Sequence, residues 1–421
     1  MNKGIVKVTK EINKIPKFSS ISFIGDPGCD GLGASTMSVF AKALTCQKTD
    51  FSIVLGDIVH RSITNLYASV IDFVNIVSQR PVYLLCGNHD TIHYDEHFGL
   101  RNYLLYNDKA LFLFLDNSKR KFEENTLNFI KSNISKFKRK NIVILFHVPP
   151  PSAIGENTVK QEEWDKVKEI ILPFKENIRY IICGHVHSYY EDKIEGTNLL
   201  VSGGGGAKIE FLNPKIDKQK AHHHIVKLYF NTEDILVHEH ISLESFKYIK
   251  ELEDKNTLNY LENAFTNESK AHIKYMLFAE EAEEKGFPGI AKLFRALSDS
   301  EYYHAKNHYY VLGNMDTILN NLSSARDGES FEINVMYKEY LDYCRKSKKG
   351  LSAYAFLDSL EAEKIHYKLI SEALKSFLEG KNVEIVSYHT CTSCGYTFSG
   401  ISSQVCCPVC GAPFDRIKEV K

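Results

Sequence analysis

The chain has 421 residues and a formal net charge of −1; 43% of its residues are hydrophobic, 25% charged and 12% aromatic. That length exceeds one ordinary core and predicts two or three domains of globular composition. The near-zero charge leaves no basic footprint for nucleic acid, and no apolar run nears the roughly 20 residues that span a bilayer.

The lysine-rich start "MNKGIVKVTKEINKIPK" carries no hydrophobic core of signal-peptide length, so a cytoplasmic protein is expected. Up to about residue 242, short apolar runs alternate with polar, helix-like stretches, which predicts a layered α/β domain. The runs "ISFIGD", "FSIVLGD", "VYLLCGN", "NIVILFH" and "RYIICGH" each lead into a metal-ligand type. They deliver Asp26; Asp57; Asn88 with His89 and Asp90; His147; and His185 with His187. The carboxyl ends of strands in an α/β sheet converge on one crevice. Oxygen and imidazole donors gathered there suit Fe, Mn or Zn. A carboxylate shared by two ions lets them polarise a phosphoryl group and activate a water, and a nearby histidine can protonate the leaving oxygen. One such motif alone is ordinarily a turn; five in order, each after a strand-like run, are a site.

Residues 19 to 242 resemble the calcineurin-like metallophosphoesterases, and the domain is set at 1–243. The resemblance implies a dinuclear phosphoesterase acting on a phosphate ester or nucleotide. It makes Asp57 the bridge between metals and puts Asn88, His147 and His185 at one of them, with Asp26 and His187 at the other. His89 becomes the acid or transition-state stabiliser, oriented by Asp90. "VSGGGGA" (201–207) also matches a loop of that family.

One position departs from the pattern: Gly28 stands where a histidine usually follows the first aspartate. The purple acid phosphatase branch has a similar gap, and a tyrosine three residues after the bridging aspartate fills it. Here that place holds His60, which is expected to ligate the first metal; the alternative is that it packs beside the site. Cys29 and Asp30 are weaker candidates. The histidines of "AHHHIV" (221–226) and "VHEH" (237–240) are read as solvated or edge residues.

Residues 244–256 read as a helical connector. From 257 to 381 the text becomes long amphipathic helices, broken at "EEKGFPG" and "KKG". One stripe runs Leu261, Phe265, Glu268, His272, Tyr275, Ala279, Ala282; the next runs Ile290, Phe294, Leu297, Glu301, His304, His308, Val311. The third helix carries Glu329 and Glu332 one turn apart, and the fourth Phe356, Leu360, Glu363, His366, Ile370. Carboxylates turned into apolar stripes demand a cation. Two Glu-x-x-His pairs, at 301/304 and 363/366, with glutamates from the other helices, form the pattern of a di-iron carboxylate bundle. Glu268 precedes Glu301 by 33 residues and Glu329 precedes Glu363 by 34, so the halves read as duplicates.

The segments "AFTNESKAHIKYMLFAEEAEEKGFPGIAKLF", "EYYHAK", "GESFEINVMY" and "EAEKIHYKLI" resemble rubrerythrin. That implies a ferritin-like four-helix bundle holding two Fe, with Glu301 and Glu363 bridging. Glu268, Glu329, Glu332, His304 and His366 would be terminal or redox-switching ligands. The implied activity is reduction of hydrogen peroxide or dioxygen, in defence against oxidative stress.

In 385–421, "CTSCGYTF" and "CPVCGAPF" set Cys391, Cys394, Cys407 and Cys410 as two CxxC knuckles for one tetrahedral metal. Zn is the structural option and Fe the redox one. The resemblance to the rubredoxin-like tail of rubrerythrins favours Fe(Cys)4, and the spacing leaves Cys406 out. The whole reads as a multidomain protein: an α/β metallophosphoesterase sandwich, a ferritin-like bundle and a rubredoxin-like domain. An external reductase would supply electrons. The family's transfer between subunits implies a homodimer or larger assembly. A redox-gated phosphoesterase and a peroxidase on an inactive phosphoesterase-like scaffold remain as alternatives.

Overall fold

The marked apolar runs become strands buried on both faces, as runs such as "SISFI" and "ALFLF" require. They form two sheets in a computed structural model that describes residues 3–137, 141–152, 154–155, 157–210, 221–244, 254–383, 387–400 and 406–420. The first sheet runs in the order β1 (Gly4–Ile5), β5 (Pro81–Leu84), β4 (Phe51–Val54), β3 (Ser20–Ile24), β12 (His224–Phe230), β13 (Leu236–Ser242). The second runs β10 (Tyr189–Ile194), β11 (Thr197–Ser202), β9 (Ile178–Cys183), β8 (Asn141–Leu145), β7 (Ala110–Phe114), β6 (Tyr103–Tyr106), β2 (Ile12–Lys14). In each sheet the strands that carry the motifs run parallel to one another, β3, β4 and β5 in the first and β8 and β9 in the second.

Alternate side chains of both sheets meet in one core, with Phe23 and Ile53 from the first against Phe112, Phe114 and Leu145 from the second. Helices α1 (Ala34–Thr45) and α2 (Thr64–Val77) cover the outer face of the first sheet through Phe40, Leu44, Tyr67 and Val70. Helices α4 (Glu124–Asn133) and α5 (Gln161–Ile171) cover the second through Phe129, Ile130, Trp164 and Val167; the short α3 is Tyr94–Phe98. The sandwich is therefore helix, sheet, sheet, helix.

The chain divides into two compact units, Met1–Asn314 and Met315–Lys421. Besides the sandwich, the first unit contains α6 (Lys255–Glu284) and α7 (Pro288–Val311). Asp254 caps α6 by accepting from the N–H groups of Asn256 and Thr257. Gly286, at φ +80, turns the chain before Pro288 opens α7. Ala279, Ala282, Ala291, Ser298 and Ala305 are buried where the two helices pack, and α7 also meets α1. The second unit contains α8 (Ile318–Phe331), a π-helical turn at Glu332–Met336, α9 (Tyr337–Lys346), α10 (Gly350–Leu378) and a three-stranded sheet. That sheet runs β15 (Thr397–Ser399), β14 (Tyr388–Cys391), β16 (Ile417–Val420). The division falls inside the stretch read as one four-helix bundle. Most of the expected connector, 245–253, lies outside the described residues.

One reading needs correcting. β12 is an interior strand, so His224 of "AHHHIV" is fully buried, with Nε2 3.0 Å from Ser202 Oγ and Nδ1 2.8 Å from the His222 carbonyl. Burial lowers its pKa to about 3, so it packs as a neutral ring.

Candidate metal centres

Asp26, Asp57 and His185 follow β3, β4 and β9 and all sit in the left-handed backbone region, at φ 53, 52 and 71. Residues other than glycine rarely adopt it, and such strain gathers at functional sites. The turns aim side chains into the crevice at the strand ends. Asp57, His147 and His185 each bring a ligand atom within 4.8 Å of the others. His147 Nε2 lies 3.3 Å from Asp57 Oδ2, 3.0 Å from Asn88 Oδ1 and 4.0 Å from Asp26 Oδ1, and His187 Nε2 lies 3.9 Å from that same Asp26 atom. Six of the expected ligands thus meet in one pocket.

Several rings are oriented alike. The Nδ1 of His147 is hydrogen-bonded to the carbonyl of Leu55 at 2.7 Å, that of His187 to Lys208 at 3.2 Å and that of His60 to Cys29. A backbone carbonyl fixes Nδ1 as the protonated nitrogen and leaves the Nε2 lone pair free, the usual orientation of a metal-bound imidazole. The charges ask for a cation too. Burial pushes the Asp26 carboxyl up to about 7, against the pull of His147 and His187. Burial alone would raise Asp57, but His147 beside it lowers it to about 2. Burial would lower His147, and the Asp57 carboxylate instead lifts it to about 10. The donor set fits two hard or borderline cations.

Gly28 is sterically required. A Cβ there would overlap the carbonyl oxygen of Ile58, and its N–H donates to the Asp57 carbonyl at 3.0 Å. No side chain, histidine included, fits while the two loops lie this close. His60 is placed with Cys29 and His89, the three donor atoms within 4.8 Å of one another. Glycines 203 to 206 allow a similar approach of backbones: the Gly205 N–H reaches the Gly25 carbonyl at 2.7 Å, and the Ala207 N–H reaches that of Asp26 at 3.0 Å.

Asp90 does a different job from the one the resemblance implies. Its Oδ1 accepts from the N–H groups of Ile58 and Val59 at 3.0 and 3.2 Å, and its Oδ2 from Gly87 at 3.0 Å. It ties two ligand loops together. The His89 ring is instead held through Nδ1 by the His60 carbonyl at 2.8 Å, with Nε2 3.9 Å from Asp57 Oδ2. Two residues went unread in the sequence. Asn117 receives the N–H groups of His147 and Val148, each at 3.0 Å, and donates to the Val148 carbonyl. Arg120, at φ 58, places Nη2 3.0 Å from His185 Nε2. The cationic run "KRK" after "NS" was the available signal.

The helices bring carboxylate and imidazole together in each unit. Glu268, Glu301 and His304 form one group and Glu329, Glu363 and His366 another, each within 4.8 Å. The same contact recurs: Nδ1 of His304 lies 2.9 Å from Glu301 Oε2, and Nδ1 of His366 lies 2.7 Å from Glu363 Oε2. Burial, then Glu363, raises Glu329 to about 8, and Glu329 Oε2 is buried without a hydrogen-bond partner. Glu332 opens the π turn, a distortion frequent at functional sites. An orphaned carboxylate oxygen among acids that repel each other fits a bound cation.

In the second unit the cysteine sulfurs of Cys391, Cys394, Cys407 and Cys410 all lie within 4.8 Å, with Cys391 3.7 Å from Cys410 and Cys394 3.6 Å from Cys407. Tetrahedral bonds of about 2.3 Å separate sulfurs by about 3.8 Å, so the cluster already has the dimensions of a four-thiolate site. Gly395 and Gly411, both at positive φ, donate to the carbonyls of Cys391 and Cys407 at 2.9 Å and close matching knuckles. Cys406 is exposed and outside the group.

A calcineurin-like phosphoesterase family model matches residues 19–189, and a rubrerythrin family model matches 259–374. Rubrerythrin-2 of Clostridium acetobutylicum is 35% identical over 176 residues, which cover 38% of this chain and 95% of that protein. The chain belongs to the rubrerythrin family. Its rubrerythrin part is preceded by a calcineurin-like phosphoesterase domain, and its cysteine knuckles form the rubredoxin-like part. Nigerythrin of Nitratidesulfovibrio vulgaris is 28% identical over 174 residues, 38% of this chain and 84% of its own. Among solved structures, a purple acid phosphatase from yellow lupin (Lupinus luteus) aligns at a TM-score of 0.45 with 14% identity, over 54% of this chain and 52% of that one. No helix among the described residues is long and apolar enough to cross a membrane.

Proposed function

We propose that the chain joins two metalloenzymes: a dinuclear phosphoesterase and a rubrerythrin-type peroxidase fed by the four-cysteine centre. The observation that carries the first is the shared orientation of His60, His147 and His187, each with Nδ1 on a backbone carbonyl. Asn88, His147 and His185 would hold one metal, Asp26, His60 and His187 the other, and the Asp57 carboxylate would serve both. The metals supply Lewis acidity and an activated water. With Nδ1 on the His60 carbonyl, His89 turns Nε2 to the rim beside Asp57, where as an imidazolium it would protonate the leaving oxygen, and Asp90 keeps the ligand loops in register. Metal-dependent hydrolysis screened over phosphomonoesters, diesters and nucleotides tests this; no hydrolysis with any divalent metal contradicts it.

The paired Glu/Glu/His groups carry the second activity. Glu268, Glu301 and His304 in the first unit, and Glu329, Glu332, Glu363 and His366 in the second, would be ligands for Fe, which supplies the redox chemistry for reducing hydrogen peroxide. Cys391, Cys394, Cys407 and Cys410 would hold the Fe that accepts electrons from an external reductase. Consumption of peroxide by the reduced protein, lost in Glu363→Ala, is the test.

One contact favours a coupled reading. The loop bearing Asp26 and Cys29 leads into α1, and α1 meets α7, which carries Glu301 and His304. Under this reading, hydrolysis changes when the reduced protein is treated with peroxide; an unchanged rate means two independent enzymes.

A further inference from the structure

Gly28 leaves the first metal one donor short of its usual set, and His60 supplies one nitrogen. The loop offers a second donor. Cys29 is 9% exposed, and its Sγ lies within 4.8 Å of ring nitrogens of both His60 and His89. Bonds of about 2.3 Å to sulfur and about 2.0–2.1 Å to nitrogen would separate donors by about 3.4–3.6 Å around a tetrahedral metal. Bringing Cys29 Sγ and a His60 nitrogen onto one ion therefore takes side-chain movement of about 1 Å.

Cys29 is tied to the site from both ends. Its carbonyl holds Nδ1 of His60, which leaves Nε2 as the donor. The N–H of the preceding residue, Gly28, is bonded to Asp57, and the His89 N–H reaches Asp57 Oδ1 at 2.9 Å. Thiol and imidazole thus meet where the loops of Gly28 and Asp57 are pressed together. The absence of a side chain at 28 is what allows the approach.

We propose that Cys29 is a thiolate ligand of the first phosphoesterase metal, beside His60. This rests on the phosphoesterase reading above and adds a ligand to it. Coordination forms a metal–sulfur bond and releases the thiol proton to solvent; no electron is transferred. A thiolate in the set selects Zn or Fe over Mg or Mn.

The test uses the full chain reconstituted with Co2+, compared with Cys29→Ser. The four-cysteine site contributes equally to both spectra, so their difference isolates Cys29. The expected result is a thiolate-to-cobalt charge-transfer band in the wild-type protein that the variant lacks, with about one Co2+ per chain bound more weakly in the variant. Cys29→Ala, checked by circular dichroism for an intact fold, should behave as Cys29→Ser does. Superimposable spectra and equal cobalt affinity, with metal-dependent hydrolysis intact, overturn the thiolate ligand and leave the phosphoesterase standing. Absence of any cobalt uptake attributable to Asp26 and Asp57, seen as unchanged stoichiometry in Asp57→Asn, overturns both.

Discussion

His366 Nε2 lies 3.4 Å from Thr397 Oγ1, and Thr397 in turn lies 3.2 Å from Thr390 Oγ1, the neighbour of Cys391. The same imidazole turns Nδ1 to Glu363. One ring therefore faces a carboxylate group on one side and the four-cysteine domain on the other. A hydrogen bond to the outer nitrogen of a metal-ligating histidine sets its orientation and basicity. Thr397→Val keeps the shape and removes the hydroxyl. We expect peroxide-driven oxidation of the reduced four-cysteine iron to slow by roughly 10-fold, measured by stopped-flow absorbance, while Thr397→Ser stays near wild type.

Arg120 meets His185 at the mouth of the phosphoesterase crevice. A guanidinium there presents charged donors to a phosphate ester, and a hydrogen bond to a charged group is worth about 1.5–3 kcal/mol. Arg120→Ala should raise KM for phosphomonoesters by roughly 10-fold or more and change kcat less. Equal KM in wild type and variant would remove Arg120 from substrate binding.

Gly28→Ala tests the contact between the two ligand loops. The added methyl would overlap the Ile58 carbonyl, and overpacking of this kind costs about 1–3 kcal/mol. The expected result is a lower melting temperature and weaker binding of one metal. A variant with unchanged metal affinity would show that the loops do not need this approach.

Charge at the crevice makes the metal-free protein sensitive to pH. His147, raised to about 10 from an ordinary 6.5, contributes stability below the latter value that is lost as pH climbs through the former. Asp26, pushed by burial to about 7, holds its proton in the fold after the unfolded chain has released it, so stability falls from about pH 4 to 7. Both act in the same direction. His185 and His224, both lowered to about 3 by burial, act the other way up to pH 6.5, so metal-free protein should melt at progressively lower temperature from pH 7 to 9. The stabilisation by added divalent metal should grow over the same range, as fewer protons compete. A metal shift independent of pH would contradict the charge assignment.

The ends of the motif strands were legible because each is local: an apolar run, then a ligand. The cysteine knuckles were legible for the same reason, and so were Glu301 with His304 and Glu363 with His366. What the sequence hid depends on tertiary neighbours. The role of Asp90 follows from which N–H groups the folded loops bring to it, not from its place beside His89. Arg120 reaches His185 across 65 residues of sequence. His224 is buried only because β12 lies between β3 and β13. Gly28 read as a missing ligand; the fold shows that the gap is the space where two loops touch.

If one chain holds two separate catalytic centres, phosphoester hydrolysis and peroxide reduction respond separately when both are measured on the same preparations of wild type, Asp57→Asn and Glu363→Ala. Loss of hydrolysis alone in Asp57→Asn, and of peroxide reduction alone in Glu363→Ala, is the predicted result. Either activity surviving the loss of its own carboxylate would contradict it.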